Sequence, residues 1–213
     1  MVKEGLNILA LNIGKPKMLT GLGQSVLSGI VKRPVDEVIF LAREQLSGDG
    51  QADLVNHGGP DKAVCVYSHD HYPYWEQYVD NTLPFGAFGE NLTLAGGIEK
   101  EMNIGDTFKW GEATVQVSQP RMPCHKLAKK FQMRDLPKRV IETGFTGFYL
   151  RVLKEGTVSV KAPLVFQERH TTFSIATVND VYYKRCKDKA IINQVAEEPY
   201  LAASWRKMLT KNK

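Results

Sequence analysis

A lone cysteine occupies the stretch of this sequence that is best placed to do chemistry. Cys124 lies between a run of β type, residues 113–119, and a run of helical type, residues 126–131. The positive end of a helix and nearby cations such as Arg121 both favour thiolate over thiol. This position therefore suits a nucleophile or a metal ligand. The structural alternative is a loop cysteine that only caps one end of a barrel.

Cations flank two further turns that could face the same site. Lys32 and Arg33 precede Pro34, which favours extended backbone, so their side chains alternate and one of them can point inward. His57 and Lys62 flank a Gly-Gly-Pro turn, in which backbone N–H groups can approach a ligand closely. The same turn could equally be an ordinary corner between strands.

One amide follows a glycine-punctuated loop. Asn91 comes directly after Gly89-Glu90 and could offer both a donor and an acceptor to the edge of a heterocycle. It could also satisfy its own turn, which is a common use of asparagine.

These residues leave two chemistries open. In a cysteine hydrolase, His57 would act as the base for Cys124, because His125 is adjacent in sequence and would point elsewhere. Alternatively, a metal within a large anionic cofactor would take the thiolate as a ligand, and cations would neutralise its phosphate and oxo groups. Those cations are Lys32, Arg33, Lys62 and Arg121. The sequence has no phosphate-binding glycine loop, GxSxG or HExxH motif, which argues against nucleotide hydrolases, serine hydrolases and zinc peptidases.

Short strands separated by turn signals must position this chemistry. Residues 107–110 and 113–117 flank Gly111-Glu112 and predict a hairpin, and residues 147–153 and 157–160 predict a second one. Helices are predicted over 70–79, with Asp70 as N-cap, and over 135–143. We therefore expect a mainly β fold with short helices, built as an irregular antiparallel barrel or sandwich.

The pattern becomes helical near residue 172. Three short helices are predicted to open near Thr177, Asp188 and Pro199, with Cys186 in the apolar stripe of the first. Such short helices cannot bury a face alone and must pack together, on the β part or on a partner. We expect a β domain over residues 1–170 and a three-helix domain over 171–213.

Composition restricts the class of protein. The 213 residues carry a formal net charge of +5, and 43% of them are hydrophobic, which is ordinary for a globular protein. Three widely spaced cysteines argue for a reducing, cytoplasmic setting and against a disulfide framework. No targeting or membrane-spanning segment is predicted, and a small anionic ligand is favoured over specific nucleic-acid binding.

Three ordered motifs resemble those of a known family. They are HGGPDKAV at 57–64, GENLT at 89–93 and QPRMPCHKL at 119–127. They look like the landmark motifs of MOSC-domain proteins, the relatives of the C-terminal domain of molybdenum-cofactor sulfurase. The three predicted C-terminal helices resemble the bacterial YiiM type within that family.

The resemblance implies a MOSC β-barrel with a basic cleft for the molybdenum cofactor, a molybdopterin carrying molybdenum. It matches Cys124 to the family's thiolate ligand of molybdenum, and we infer pterin and phosphate contacts for Lys32, Arg33, His57, Lys62, Asn91 and Arg121. It further implies reduction of N-hydroxylated compounds, such as hydroxylaminopurines and amidoximes, with electrons from a separate reductase protein. The alternative is a carrier of sulfur or cofactor that holds a persulfide on Cys124. A monomer or homodimer is expected.

Overall fold

The computed structural model describes residues 5–53, 58–79 and 81–211, and a nine-stranded half-barrel sheet forms its centre. The strands are β1 (Gly5–Leu6), β2 (Ile8–Ile13), β3 (Lys17–Leu19), β4 (Val26–Ser28), β5 (Arg33–Val35), β6 (Ile39–Leu41), β7 (Val64–Ser68), β8 (Leu92–Leu94), β9 (Thr107–Trp110), β10 (Ala113–Pro120), β11 (Phe148–Lys154), β12 (Gly156–Val158) and β13 (Leu164–Glu168). Their order in the sheet is β1-β13-β9-β10-β11-β7-β8-β2-β5, and only β7 and β8 run parallel. The predicted mainly β class is confirmed.

Six short helices accompany the strands in the described part of the chain. They are α1 (Tyr72–Val79), α2 (His125–Phe131), α3 (Leu136–Thr143), α4 (Ile175–Tyr182), α5 (Lys189–Glu197) and α6 (Ala203–Lys211). Gly144 ends α3 in the left-handed conformation, at φ 75°, as its position in the sequence predicts. None of the helices in the described ranges is long and apolar enough to cross a bilayer.

One of the two predicted hairpins forms. Strands β9 and β10 pair across Gly111-Glu112, with Trp110 opposite Ala113. The second predicted hairpin is wrong, because β12 pairs with β6 and not with β11. Both edges of β11 are already occupied by β10 and β7, so no ladder position is left for β12.

Two predicted helix starts are displaced along the chain. Asp70 does not cap α1, since the chain first makes a 3₁₀ turn over His69–His71, which Ser68 caps by accepting from the Asp70 N–H. In the C-terminal part, Ser174 and not Thr177 begins α4. Its hydroxyl oxygen accepts from the Thr177 N–H, one of the orphan donors of the first turn, at 3.1 Å.

The third C-terminal helix begins later than Pro199. Ala202 first donates its N–H to Ser118 O on β10 at 3.0 Å, and α6 starts only after that bond. Asp188 does cap α5, accepting from two backbone N–H groups as predicted. Cys186 lies beyond the end of α4, after Lys184 takes a left-handed conformation, although it still packs against the core.

Strand alternation divides the apolar side chains between two clusters. On β7, Val64 and Val66 belong to the main core, whereas Tyr67 belongs to a second cluster on the other face. The main core also takes in Val178 and Trp205 from the C-terminal helices. The β part and the three helices therefore share one core, and the boundary at residue 170 stays a prediction.

Candidate cofactor-binding site

The loop after β10 carries Cys124 to the start of α2. Cys124 is extended, at φ −131° and ψ 168°, and occupies the N-cap position, where its carbonyl accepts from the Leu127 N–H at 3.0 Å. Its side chain is half-buried, and His125 beside it is exposed. The predicted junction between strand and helix is therefore formed, and the thiol lies at the wall of a cleft.

That cleft encloses about 640 Å³ when its open mouth is included. Among the described residues, its charged lining comprises four cations, Lys32, Lys62, Arg121 and Lys126, and two carboxylates, Asp49 and Asp53. The formal charge of these six residues is +2. Such a surface favours an anion, and low-dielectric walls strengthen that preference.

Asp49 connects three parts of the cleft wall. Its carboxylate pairs with the Lys32 ammonium and also accepts from the Gly14 N–H at 2.9 Å and from Asn91 Nδ2 at 2.8 Å. The Lys32 and Asp49 side chains are only 7% and 3% exposed. This buried pair fixes the position of the Lys32 charge, and it also neutralises part of that charge.

Asn91 is held entirely by the protein. Its Oδ1 accepts from the Cys65 N–H at 3.0 Å, and its Nδ2 donates to Asp49 and to Asn12 O. Both N–H groups of the amide are therefore used. These bonds do not close its own turn, so the structure shows a role that the sequence did not offer: Asn91 joins β7 to the Asp49 loop.

A fully buried carboxylate shapes the loop before Asn91. Glu90 accepts from the N–H groups of Gly86 and Phe88, each at 3.0 Å, and from the Tyr72 hydroxyl. Gly89 has φ +80°, and a Cβ there would lie 2.5 Å from the Ile30 side chain. The loop can pass this close to Ile30 only with glycine at that position.

Arg121 contributes a fixed positive charge near the cysteine. Its Nη2 donates to Phe88 O at 2.6 Å, and the residue is 9% exposed. Burial by itself disfavours the charged form, but the neighbouring Cys65, Tyr149 and Cys124 together hold the pKa of the guanidinium above its ordinary value. Arg121 therefore stays protonated while it lines the cleft.

The structure adds two lining residues that the sequence did not single out. Cys65 is buried but faces the cleft, and Tyr149 lies directly opposite it on β11. Burial raises the pKa of the Cys65 thiol, and burial and the nearby thiols raise the pKa of the Tyr149 phenol. Both groups are neutral at pH 7. The alternation along β7 could have indicated Cys65, since Val64 and Val66 take the core side.

Lysines on α2 have different roles. Lys126 lines the cleft, with Nζ 3.7 Å from the Asp53 carboxylate. Lys129 points away and donates to the carbonyls of Gly21, Leu22 and Gly23.

Lys130 donates to Ile30 O at 3.2 Å and to Gly86 O at 2.9 Å. Burial lowers the pKa of Lys130 to about 8. It therefore supports the loops that form the cleft wall.

The 3₁₀ turn Pro60–Lys62 presents Lys62. The Ser118 hydroxyl on β10 donates to Asp61 O at 2.6 Å, and Arg151 pairs with the Asp61 carboxylate at 2.8 Å. Partial burial lowers the pKa of Lys62, although Asp61 and Asp53 oppose that shift. The turn is thus anchored to the strand that leads to Cys124.

Five of the predicted site residues converge on this cleft: Lys32, Lys62, Asn91, Arg121 and Cys124. Arg33 is not among its lining residues. It is exposed on β5, opposite Ile13, consistent with the alternation of side chains that places only one of the two cations inward. His57 lies outside the described residues.

The donor set of the cleft fits a metal bound within a cofactor better than a metal bound by protein alone. Among the described residues, no group of three histidine, cysteine or carboxylate side chains could hold a metal ion. Of the two thiols that line the cleft, Cys65 is buried and Cys124 is partly exposed, and four cations of the described residues line the same cleft. Sulfur suits a soft transition metal, and the cations suit phosphate or oxo groups.

Comparison with known proteins gives the family. The profile described as "MOSC domain" matches residues 53–165, and the profile described as "YiiM-like, 3-alpha helix domain" matches residues 174–211. The chain therefore belongs to the MOSC-domain family and carries the YiiM-like three-helix domain at its C-terminal side.

Individual relatives agree with this assignment. "Uncharacterized protein YflK" of Bacillus subtilis (strain 168) is 49% identical over 214 residues, covering 100% of this chain and 97% of the relative. The crystal structure of YiiM from Geobacillus stearothermophilus matches with a TM-score of 0.82 at 42% identity, covering 97% of this chain and 98% of that one. A protein named "Reductase" from Gibberella moniliformis (strain M3125 / FGSC 7600) is 34% identical over 169 residues, which are 77% of this chain and 30% of that protein.

Proposed function

We propose that this protein binds the molybdenum cofactor in the cleft and reduces N-hydroxylated compounds, such as hydroxylaminopurines or amidoximes. Membership of the MOSC family and a relative named as a reductase support an oxidoreductase role. The observation that carries the proposal is the half-buried Cys124 thiol in a cleft lined by four cations. No other described cysteine combines partial exposure with that surrounding.

The lining residues have different roles in holding the cofactor. Cys124 supplies the thiolate ligand, and Lys62, Arg121 and Lys126 are placed to bind phosphate or oxo groups. Lys32 also lines the cleft, but its ammonium is already paired with the Asp49 carboxylate. Asn91 contributes indirectly, because its hydrogen bonds hold the cleft wall in place. When bound, the cofactor would supply the electron pair and accept the oxygen of the substrate N–O bond.

Protein residues also control protons at the cleft. Tyr149 and Cys65 are kept neutral by burial, and a hydrogen bond joins their side chains, so this part of the inner wall carries polar groups without negative charge. Arg121 stays charged beside them. A neutral donor next to a fixed cation suits a reaction in which negative charge develops on an oxygen atom.

The proposal includes a separate electron-donor protein, because the sequence offers no motif for a flavin, haem or iron–sulfur centre. We place the reaction in a reducing cytoplasm, in keeping with the three free cysteines, and expect a monomer or homodimer.

The test measures molybdenum per chain in protein made by cells that synthesise the cofactor. We expect molybdenum in the wild type and at least about tenfold less in Cys124→Ser, because the hydroxyl is a poor ligand for a soft metal. Cys186→Ser, which changes a partly buried cysteine outside the cleft lining, serves as the matched control and should match the wild type. Equal metal content in both variants would remove Cys124 as a ligand.

The same preparation tests the carrier alternative. A persulfide on Cys124 in metal-free protein, detected by mass spectrometry, together with no amidoxime reduction by loaded protein, would favour a sulfur carrier. Reduction of an amidoxime by wild type with reduced methyl viologen as electron source, and its loss in Cys124→Ser, supports the reductase.

A further inference from the structure

Most of the net charge of the protein lies in its C-terminal helices. Residues 171–213 contain eight lysines and arginines and four aspartates and glutamates, so they hold +4 of the total of +5. A small unit with this excess attracts acidic partners over a distance and increases their rate of association.

A groove concentrates that charge around an apolar floor. Val181, Tyr182, Ile192 and Leu209 line its bottom, between the end of α4 and helices α5 and α6. Three exposed lysines, Lys184, Lys187 and Lys189, line its edge. Within the described part of the chain none of the three forms an ion pair with a carboxylate, and Lys187 donates only to Lys184 O, at 3.0 Å.

We propose that this lysine-edged groove is the docking surface for an acidic electron-carrier protein, which inserts an apolar side chain between the helices and surrounds it with carboxylates. This inference rests on the proposed reductase function, which requires an external donor. An apolar centre with a charged rim is the usual composition of a protein–protein interface. A nucleic-acid backbone would use the lysines but leave the apolar floor uncovered, so the groove favours a protein.

The groove is joined to the strand that leads to the cofactor cleft. The ring of Tyr182 at its floor lies 5.0 Å from the ring of Trp205, which is buried at the start of α6. Three residues before Trp205, Ala202 bonds to Ser118 on β10, and that strand ends just before Arg121 and Cys124. A partner seated in the groove is thus connected to the cleft through packed and hydrogen-bonded groups.

The test measures binding of two acidic carriers, a plant-type ferredoxin and a flavodoxin, to the full-length protein by titration calorimetry at low salt. The test variant is Lys184→Glu/Lys187→Glu/Lys189→Glu, and its matched control is Lys17→Glu/Lys154→Glu/Lys161→Glu, which changes three exposed lysines outside the groove. Both variants have the same net charge. We expect at least about tenfold weaker binding for the groove variant and less than about twofold change for the control.

Lys184 has a left-handed backbone, so the double variant Lys187→Glu/Lys189→Glu repeats the test without changing that position. Amidoxime turnover with reduced methyl viologen needs no docked protein and should be the same in wild type and groove variants. If it is absent in all of them, the reductase function fails. If it is present, the docking proposal is judged by carrier binding alone.

Failure of the wild type to bind either carrier, or equal binding by groove and control variants, would overturn the docking proposal. A short DNA duplex provides the competing probe. If the duplex binds the wild type more tightly than either carrier, and the groove variant loses that binding, the groove is a nucleic-acid site and the proposal is wrong.

Discussion

The cofactor cleft and the C-terminal groove both present lysines, but they hold them in opposite ways. In the cleft, Lys32 and Asp49 are almost fully buried and share their contacts with Asn91 and a backbone N–H. In the groove, Lys184, Lys187 and Lys189 are exposed and have no carboxylate partner among the described residues.

The difference in burial gives the two sets of charges different effects: buried charges fix the position of a ligand, and exposed charges attract one. A buried charge loses hydration, so it persists only where hydrogen bonds hold it in one geometry, and that geometry can match one particular ligand. An exposed lysine keeps its hydration and its rotamer freedom, so it attracts acidic surfaces without fixing them. The buried charges of the cleft therefore suit the proposed anionic cofactor, and the exposed lysines of the groove suit the proposed acidic partner.

The largest effect is expected from removing the acid of a buried ion pair, with the acid of a half-exposed ion pair as its counterpart. Asp49→Ala leaves the Lys32 ammonium buried without its counter-charge and removes the acceptor of Asn91 Nδ2. We expect the free energy of unfolding to fall by about 3–5 kcal/mol, as for other broken buried pairs. Asp180→Ala removes the half-exposed partner of Arg185 in the C-terminal helices and should cost less than about 1 kcal/mol. Urea denaturation gives both values, and equal costs would contradict the comparison.

A second prediction concerns how the free energy of unfolding depends on pH when a lysine is buried. The folded pKa of Lys130 is about 8, below its ordinary value of 10.5, because the side chain is buried. Between these values the unfolded chain binds more protons, so stability should rise as pH increases from about 8 to about 10 and the penalty of the charged form is relieved.

Relative to Lys130→Met, which lacks the titrating group, the wild-type free energy of unfolding should gain about 1–3 kcal/mol over that range. Denaturation of both proteins at several pH values measures the difference. Because Lys130→Met keeps every other titrating group, subtracting its values removes their contributions. One such group is Cys65, whose raised pKa makes stability fall as pH increases. A constant difference between the two proteins across the range would show that Lys130 is not desolvated in the fold.

The smallest expected effect concerns salt. Raising sodium chloride from about 0.05 to about 0.5 M should weaken carrier binding at the groove at least about tenfold, because exposed charges are screened. Retention of molybdenum after desalting should change by less than about twofold over the same range, because buried charges are screened much less. If salt changed carrier binding and molybdenum retention equally, the cations of the cleft would be as well hydrated as those of the groove.

Much of the site could be predicted because it depends on local sequence. Pro120 ends a strand, Cys124 begins α2, and the Gly-Glu-Asn loop follows from its glycines, and all three appear where expected. Asp49 could not be predicted, since an aspartate in a polar loop carries no local sign that a lysine and an asparagine will meet it. Cys65 and Tyr149 were missed because their place at the cleft depends on which face of β7 and β11 turns outward.

The mainly β class, the C-terminal helices and the candidate thiol follow from local sequence, because turns, caps and apolar periodicity act over a few residues. The pairing of β12 with β6 and not with β11, the place of Lys32 and not Arg33 in the cleft, and the structural role of Asn91 became known only from the folded chain. These outcomes depend on which strand edges are free and which buried groups find partners. Those are properties of contacts between distant segments, and no local pattern records them.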